Sequence, residues 1–285
     1  MQNLFFFRCL MAPVILLPAF YATACRQIPA PQQQQHILPS SVAGVPLPAG
    51  YERVSPTSGS FGSWLGKMGF RKDNTVYLYN HEPKQDQSSH YAVLDLSTGN
   101  EDLQQCADAI MRLRAEYFFS QKAYRKIDYP ASGAVHFNFE RYIKGERYRV
   151  SGQKMIAFQT ADTLAIQTHD QLLKFLRQVF IYCGTYTVEE QTYSIKKPED
   201  LQPGDVFVKA GYPGHAMIVM DVAVNKSSGD KIFLLAQGFM PAQDMHIVKN
   251  PLHTTNDPWY SVTEISEQLF TPGYTFNKAA LRRWK

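Results

Sequence analysis

The chain has 285 residues, of which 45% are hydrophobic, 13% aromatic and 19% charged, so it can bury one large core or two modest ones and is not a disordered polymer. Lysine and arginine total 29 against 25 acids, a net charge of +4 with no concentrated basic run, which argues against nucleic acid as the main partner. Four cysteines are too few for a disulfide-stapled mini-scaffold or a multi-cysteine zinc site.

The N-terminus reads as a processing signal. Arg8 is its single charge, and an apolar stretch from Leu10 to Tyr21 leads into Ala22-Thr23-Ala24. That stretch is too short to span a bilayer and has the shape of a secretory core region. Ala22-Thr23-Ala24-Cys25 resembles a bacterial lipobox, which implies cleavage after residue 24 and lipidation of Cys25; ordinary secretion is the alternative. Arg26 to Gly50, with Pro29, Pro31, Gln32 to Gln35, Pro39, Pro46 and Pro48, reads as an extended tether. Residues 51–285 are then expected to form a single body, held near a membrane by the lipid and facing the periplasm or the cell surface.

Along that body, Thr75–Leu78 and Tyr91–Leu96 read as short strands around a polar loop. Asn100 can cap a helix over Glu101–Phe119, with acids in its first turn and an apolar stripe of Leu103, Cys106, Ile110, Leu113 and Tyr117. Arg112 and Glu116, one turn apart, can pair. Val135–Phe139 reads as a strand. A second helix spans Asp170–Cys183, with Gly184 as its C-cap. Pro203-Gly204-Asp205 turns into the strand Val206–Val208, and His215–Val224 and Ile232–Ala236 make a hairpin around Asn225–Asp230. Helices followed by a meander predict an α+β fold.

The Pro203-Gly204-Asp205 turn, Gly214-His215 at the head of a strand, and Gln237 on the next strand together resemble the second half of NlpC-type and CHAP-type papain-like cysteine peptidases, over residues 168–240. The resemblance implies a papain-like helix packed on an antiparallel sheet, with an N-terminal α/β elaboration. It also implies that His215 is a general base oriented by Gln237. In such chemistry a thiolate attacks an amide carbonyl, an imidazole takes and returns the proton, and a third group fixes the imidazole tautomer. The family's cysteine opens the helix before the Pro-Gly-Asp turn, yet Thr168-His169-Asp170 holds none. Cys106 precedes His215 in the chain and is the candidate nucleophile. Its place on the apolar stripe, a turn or more inside the expected helix, also fits a buried small hydrophobe, and a Cys106–Cys183 disulfide is the third reading. Cys183, at a helix C-terminus where the macrodipole opposes a thiolate, reads as a core residue.

The stretches Gln105–Tyr117, His136–Phe139, Ala236–Asp244 and Asp257–Tyr260 resemble an uncharacterised family of Bacteroidetes envelope lipoproteins, a domain of unknown function. That likeness implies a location and no established activity. Gln243, Trp259 and Tyr260 could line a groove for glycan or peptide, and His136 with Asn138 could form a binding or supporting pair; loop residues satisfying backbone groups and a satisfied buried pair are the alternatives. His246 and His253 fall in apparent loop and suggest no metal site, and no nucleotide-binding or serine-hydrolase motif occurs, so no cofactor is expected. The expected function is a papain-like amidase or peptidase acting on cell-wall peptides, active or degenerate. The alternative is a non-catalytic glycan- or peptide-binding lipoprotein.

Cys25→Ala is expected to abolish incorporation of labelled palmitate and to release the protein from the membrane fraction. Unchanged labelling would remove the anchor.

Overall fold

Residues 215–223 form an unbroken buried run, the pattern of a strand covered on both faces. In the computed structural model, which describes residues 38–131, 134–253, 257–265 and 267–285, this run is the spine of the fold. The proposed signal peptide, Cys25 and residues 26–37 of the tether lie outside the described residues.

In chain order the strands are Tyr51–Arg53 (β1), His90–Val93 (β2), Asp128–Pro130 (β3), His136–Asn138 (β4), Glu146–Ser151 (β5), Lys154–Gln159 (β6), Thr192–Ser194 (β7) and Val206–Lys209 (β8). They continue with His215–Asn225 (β9), Lys231–Gln237 (β10), His246–Val248 (β11), Trp259–Ser261 (β12), Gln268–Thr271 (β13), Tyr274–Asn277 (β14) and Leu281–Trp284 (β15). The helices are Phe61–Gly66 (α1), Cys106–Ser120 (α2), Phe139–Ile143 (α3), His169–Tyr182 (α4) and Thr185–Glu190 (α5). A nine-stranded sheet runs β2-β11-β10-β9-β8-β15-β7, with β1 added to β9 and β12 to β10. Its pairings are antiparallel, and β3–β4, β5–β6 and β13–β14 are separate hairpins. The fold is α+β, as the sequence predicts.

Alternate residues of β9 feed two cores. Ala216, Ile218 and Met220 face a cluster that includes Ile110, Met111 and Leu113 of α2 and Leu172, Phe175 and Leu176 of α4. Met217, Val219 and Val222 face Phe207, Phe233, Leu269 and Phe276. The register against β10 slips between Leu234 and Leu235, whose partners are Asp221 and Val219, so Met220 is an unpaired bulge residue. Among the described residues, no helix is long and apolar enough to cross a membrane.

Several local expectations change. Residues 38–50 are not tether: Val42 and Val45 are buried in the core, and Trp259 Nε1 donates to Pro46 O at 2.8 Å. The segment makes a 3-10 turn at Val42–Gly44, and the two valines supply the apolar contacts that hold it. Thr75–Leu78 is reduced to isolated antiparallel bridges of Tyr77 with Pro83 and Leu78 with Gln243, because side chains take two of its amides: Val76 N donates to Gln87 Oε1 at 3.0 Å and Tyr77 N to Asp244 Oδ2 at 3.0 Å.

The expected helix from Glu101 begins five residues later, at Cys106. The acids meant for its first turn have distant partners instead: Glu101 pairs with Arg177 at 2.8 Å, and Asp102 accepts from Ala242 N at 2.6 Å. Gln105 is the N-cap residue, and its N–H donates to Asp108 Oδ2 at 3.1 Å. Gly184 is not the end of the preceding helix but the N-cap of α5, an element the sequence reading lacks. Arg112 and Glu116 pair at 2.6 Å as expected.

The start of α2 is pressed onto the segment just past β10. A Cβ at Gly238 would lie 3.1 Å from Ala109 Cβ and 3.1 Å from Gln105 O. Gly238→Val should therefore push the helix outward and cost about 1–3 kcal/mol of stability, read as a lower urea midpoint; an unchanged midpoint would refute the close contact.

Candidate functional site

Five segments meet at a cavity of about 520 Å³. They are the first turn of α2, the α4–α5 junction, the loop before β9, the segment after β10 and the β13–β14 turn. Cys106 and His215, far apart in sequence, both line it.

Cys106 is the first residue of α2, not an interior one. Its sulfur faces the backbone N–H groups of Cys106, Ala107 and Ala216, the residue after His215. Donors at a helix N-terminus favour a thiolate. Burial outweighs them and pushes the Cys106 thiol above its ordinary range, with Asp108 adding to the rise. The resting sulfur is therefore a neutral thiol.

His215 opens β9, where Gly214 lets the chain turn in. A Cβ at Gly214 would sit 2.8 Å from Lys209 O, so glycine is needed for backbone approach rather than to leave space beside the ring. The His215 imidazole is packed among Phe239, Tyr274 and Phe276, at centroid distances of 4.9, 5.0 and 5.8 Å. This burial lowers its pKa to about 4, with Gln237 opposing the shift.

The hydrogen bonds around the ring have only one consistent polarity. Asp244 O can only accept, so His246 Nδ1, 2.8 Å away, donates. His246 is fully buried and its pKa falls to about 3, chiefly through desolvation, so its Nε2 carries a lone pair. Gln237 Nε2 approaches that lone pair at 3.5 Å. Gln237 Oε1 is then directed at His215 Nε2, which donates to it at 2.8 Å. His215 Nδ1 is left as the basic nitrogen and has no hydrogen-bond partner among the described residues.

Asp108 and His246 are site residues that the sequence reading missed. Asp108 lines the cavity at the third position of α2; burial raises its pKa to about 8, and its Oδ1 is buried without a hydrogen bond. A carboxyl next to a cysteine at a helix start would have flagged it, had the start been placed correctly. His246 lies on β11 rather than in a loop, a strand signalled by Ile247-Val248 after it.

Cys183 is half-buried: it packs against the main core, as expected, and also lines the same cavity. Its sulfur contacts Pro130 O at 3.6 Å, and burial raises its pKa to about 12. Both cysteines are free thiols, so the disulfide alternative is not formed.

The five expected ligand residues lie away from this cavity. Gln243, Trp259 and Tyr260 are buried at 3%, 2% and 0% exposure, so they present no binding face. Tyr260 OH donates to Lys249 O at 2.7 Å. His136 Nδ1 pairs with Asp128 at 2.7 Å, and Asn138 caps α3 by accepting from Arg141 N at 3.1 Å. These groups hold the fold together. Among the described residues, no cluster of three or more His, Cys, Asp or Glu is placed to bind a metal ion.

The chain belongs to the family described as Domain of unknown function (4846), which matches residues 43–283. No curated protein and no solved structure was found to match it.

His215 and His246 are neutral when folded and take up protons when unfolded. Their contribution to stability is complete above about pH 6.5 and is lost as pH falls toward 4. At pH 5 the cost is roughly 1–2 kcal/mol for each. Asp108 acts in the opposite direction, because the fold holds its proton up to about pH 8. The histidine effect is therefore read as a difference: between pH 7 and 5 the wild type should lose about 2–6 °C more in Tm than His246→Asn. Parallel curves would refute the burial argument.

Proposed function

We propose that this cavity is the active centre of a papain-like cysteine amidase or peptidase, acting on peptide amides of the cell wall, in a lipid-anchored envelope protein. The observation that carries the reading is a cysteine at a helix N-terminus and a histidine of fixed tautomer lining one cavity. The lipobox-like Ala22-Thr23-Ala24-Cys25 supports the envelope location.

In this mechanism His215 Nδ1 takes the proton of the Cys106 thiol as sulfur attacks the substrate carbonyl carbon. The backbone N–H groups beside the sulfur at the α2 start would then donate to the developing oxyanion. Collapse breaks the C–N bond, and the amine leaves with the proton from His215. Water, deprotonated by the same imidazole, then hydrolyses the thioester and restores the thiol. Gln237 keeps Nε2 protonated throughout, and His246 orients the Gln237 amide. Because burial opposes charge on both sulfur and ring, the resting pair is thiol and imidazole rather than thiolate and imidazolium. Tyr212 and Met240, 95% and 57% exposed, stand at the cavity and offer apolar contact to a peptide.

The same suppression of charge favours a second reading, a peptide-binding module that keeps the fold without turnover. Muropeptide hydrolysis separates the two. Wild-type turnover should fall at least 100-fold in Cys106→Ala and in His215→Ala, and about 10- to 100-fold in Gln237→Ala. Background rates in all four proteins remove the hydrolase. Muropeptide binding retained by the wild type and Cys106→Ala at those rates supports the binding module.

A further inference from the structure

We infer that a second cavity, walled by Arg114, is a binding site for a small oxyanion, a carboxylate or phosphate group. It has a volume of about 380 Å³ and shares no lining residue with the Cys106 cavity. Arg114 lies on α2 eight residues beyond Cys106, about 12 Å along the helix.

The reason is an imbalance of charge and hydrogen bonding. Arg53, Arg71, Arg112 and Arg283 each pair with a carboxylate, at 2.7, 2.6, 2.6 and 2.7 Å respectively. Arg114 has no ion pair and no hydrogen bond among the described residues. Its guanidinium instead lies over two rings, 4.8 Å from the Phe118 centroid and 4.3 Å from that of Trp284. Burial lowers its pKa only to about 10, so it is a cation at neutral pH. A partly buried cation held over two rings, with no protein acceptor for its N–H groups among the described residues, can take a partner that accepts in the guanidinium plane.

The cavity supplies what such a partner needs. Ser55, Thr57 and Gln202, polar residues exposed to solvent, line it, and their side chains make no hydrogen bond among the described residues. Asp205, the acid in its wall, is neutralised by Arg283, which donates to both of its oxygens at 2.7 and 2.8 Å. The surplus charge at the site is therefore the single positive charge of Arg114. The planar guanidinium fork, restrained by the two rings, suits bidentate contact with a carboxylate or phosphate and disfavours a spherical halide.

Trp284 stacks on Arg114, so its fluorescence is a direct reporter. The full chain is titrated with succinate and with inorganic phosphate, with sodium chloride of matched ionic strength as the control. Saturable quenching by at least one oxyanion and none by chloride is expected, and which of the two binds assigns the ligand chemistry. Arg114→Lys, which keeps the charge and loses the fork, should weaken binding at least tenfold, and Arg114→Gln should abolish it. Ser55→Ala/Thr57→Val, which leaves α2 untouched, should weaken binding several-fold and serves if Arg114→Gln does not fold. No saturable response to either oxyanion, an equal response to chloride, or equal affinity in wild type and Arg114→Lys would overturn the assignment. None of these readouts depends on hydrolase activity.

Discussion

The contact on which the rest of this structure depends is the seating of the α2 N-terminus against the ends of β9 and β10. A helix end carries unpaired N–H groups and a partial positive charge, and normally exposes both to water. Here it is brought onto the sheet, close enough that a Cβ at residue 238 would lie 3.1 Å from Ala109 Cβ and from Gln105 O. The backbone N–H of Ala216, beside the histidine that opens β9, consequently favours the thiolate form of Cys106 against the larger effect of burial. Helix start, strand head and strand end thus form one junction, and the cavity opens there.

Desolvation governs the chemistry of that junction. It keeps the thiol protonated, keeps His215 and His246 neutral, and holds a proton on Asp108. Neutral imidazoles have one donor and one acceptor nitrogen each, so a chain of them has a direction. The Asp244 carbonyl sets that direction at one end, and the free Nδ1 of His215 receives it at the other. His246 lies outside the cavity wall yet determines which way the Gln237 amide faces. In the proposed reaction, a base held in its reactive tautomer before substrate arrives would avoid reorganisation.

How much of this was legible in the sequence depended on how local the determining interaction is. The β9–β10 hairpin was readable because its apolar runs and turn residues are local, whereas His215 with Gln237 was expected only from the resemblance to papain-like peptidases. The helix start was not, because Glu101 and Asp102 look like first-turn acids and are instead taken by Arg177 and Ala242, far away in the chain. That displacement of five residues changed the reading of Cys106 from a mid-helix apolar residue to a helix-opening thiol. Trp259 and Tyr260 failed as ligand residues for a similar reason: an aromatic in sequence does not reveal that β12 lies on the sheet and buries both rings. Arg114 was equally silent, since its partners are a ring one turn away and another near the C-terminus.

The central claim is that Cys106 and His215 act on one another across the cavity. The most direct test needs no substrate: the rate of Cys106 alkylation by iodoacetamide, followed by mass spectrometry from pH 5 to 9, with Cys183 as the internal reference. Coupling predicts that Cys106 reacts faster than Cys183 near neutral pH and that His215→Ala slows it at least tenfold. Identical Cys106 rates in the wild type and His215→Ala would contradict the account.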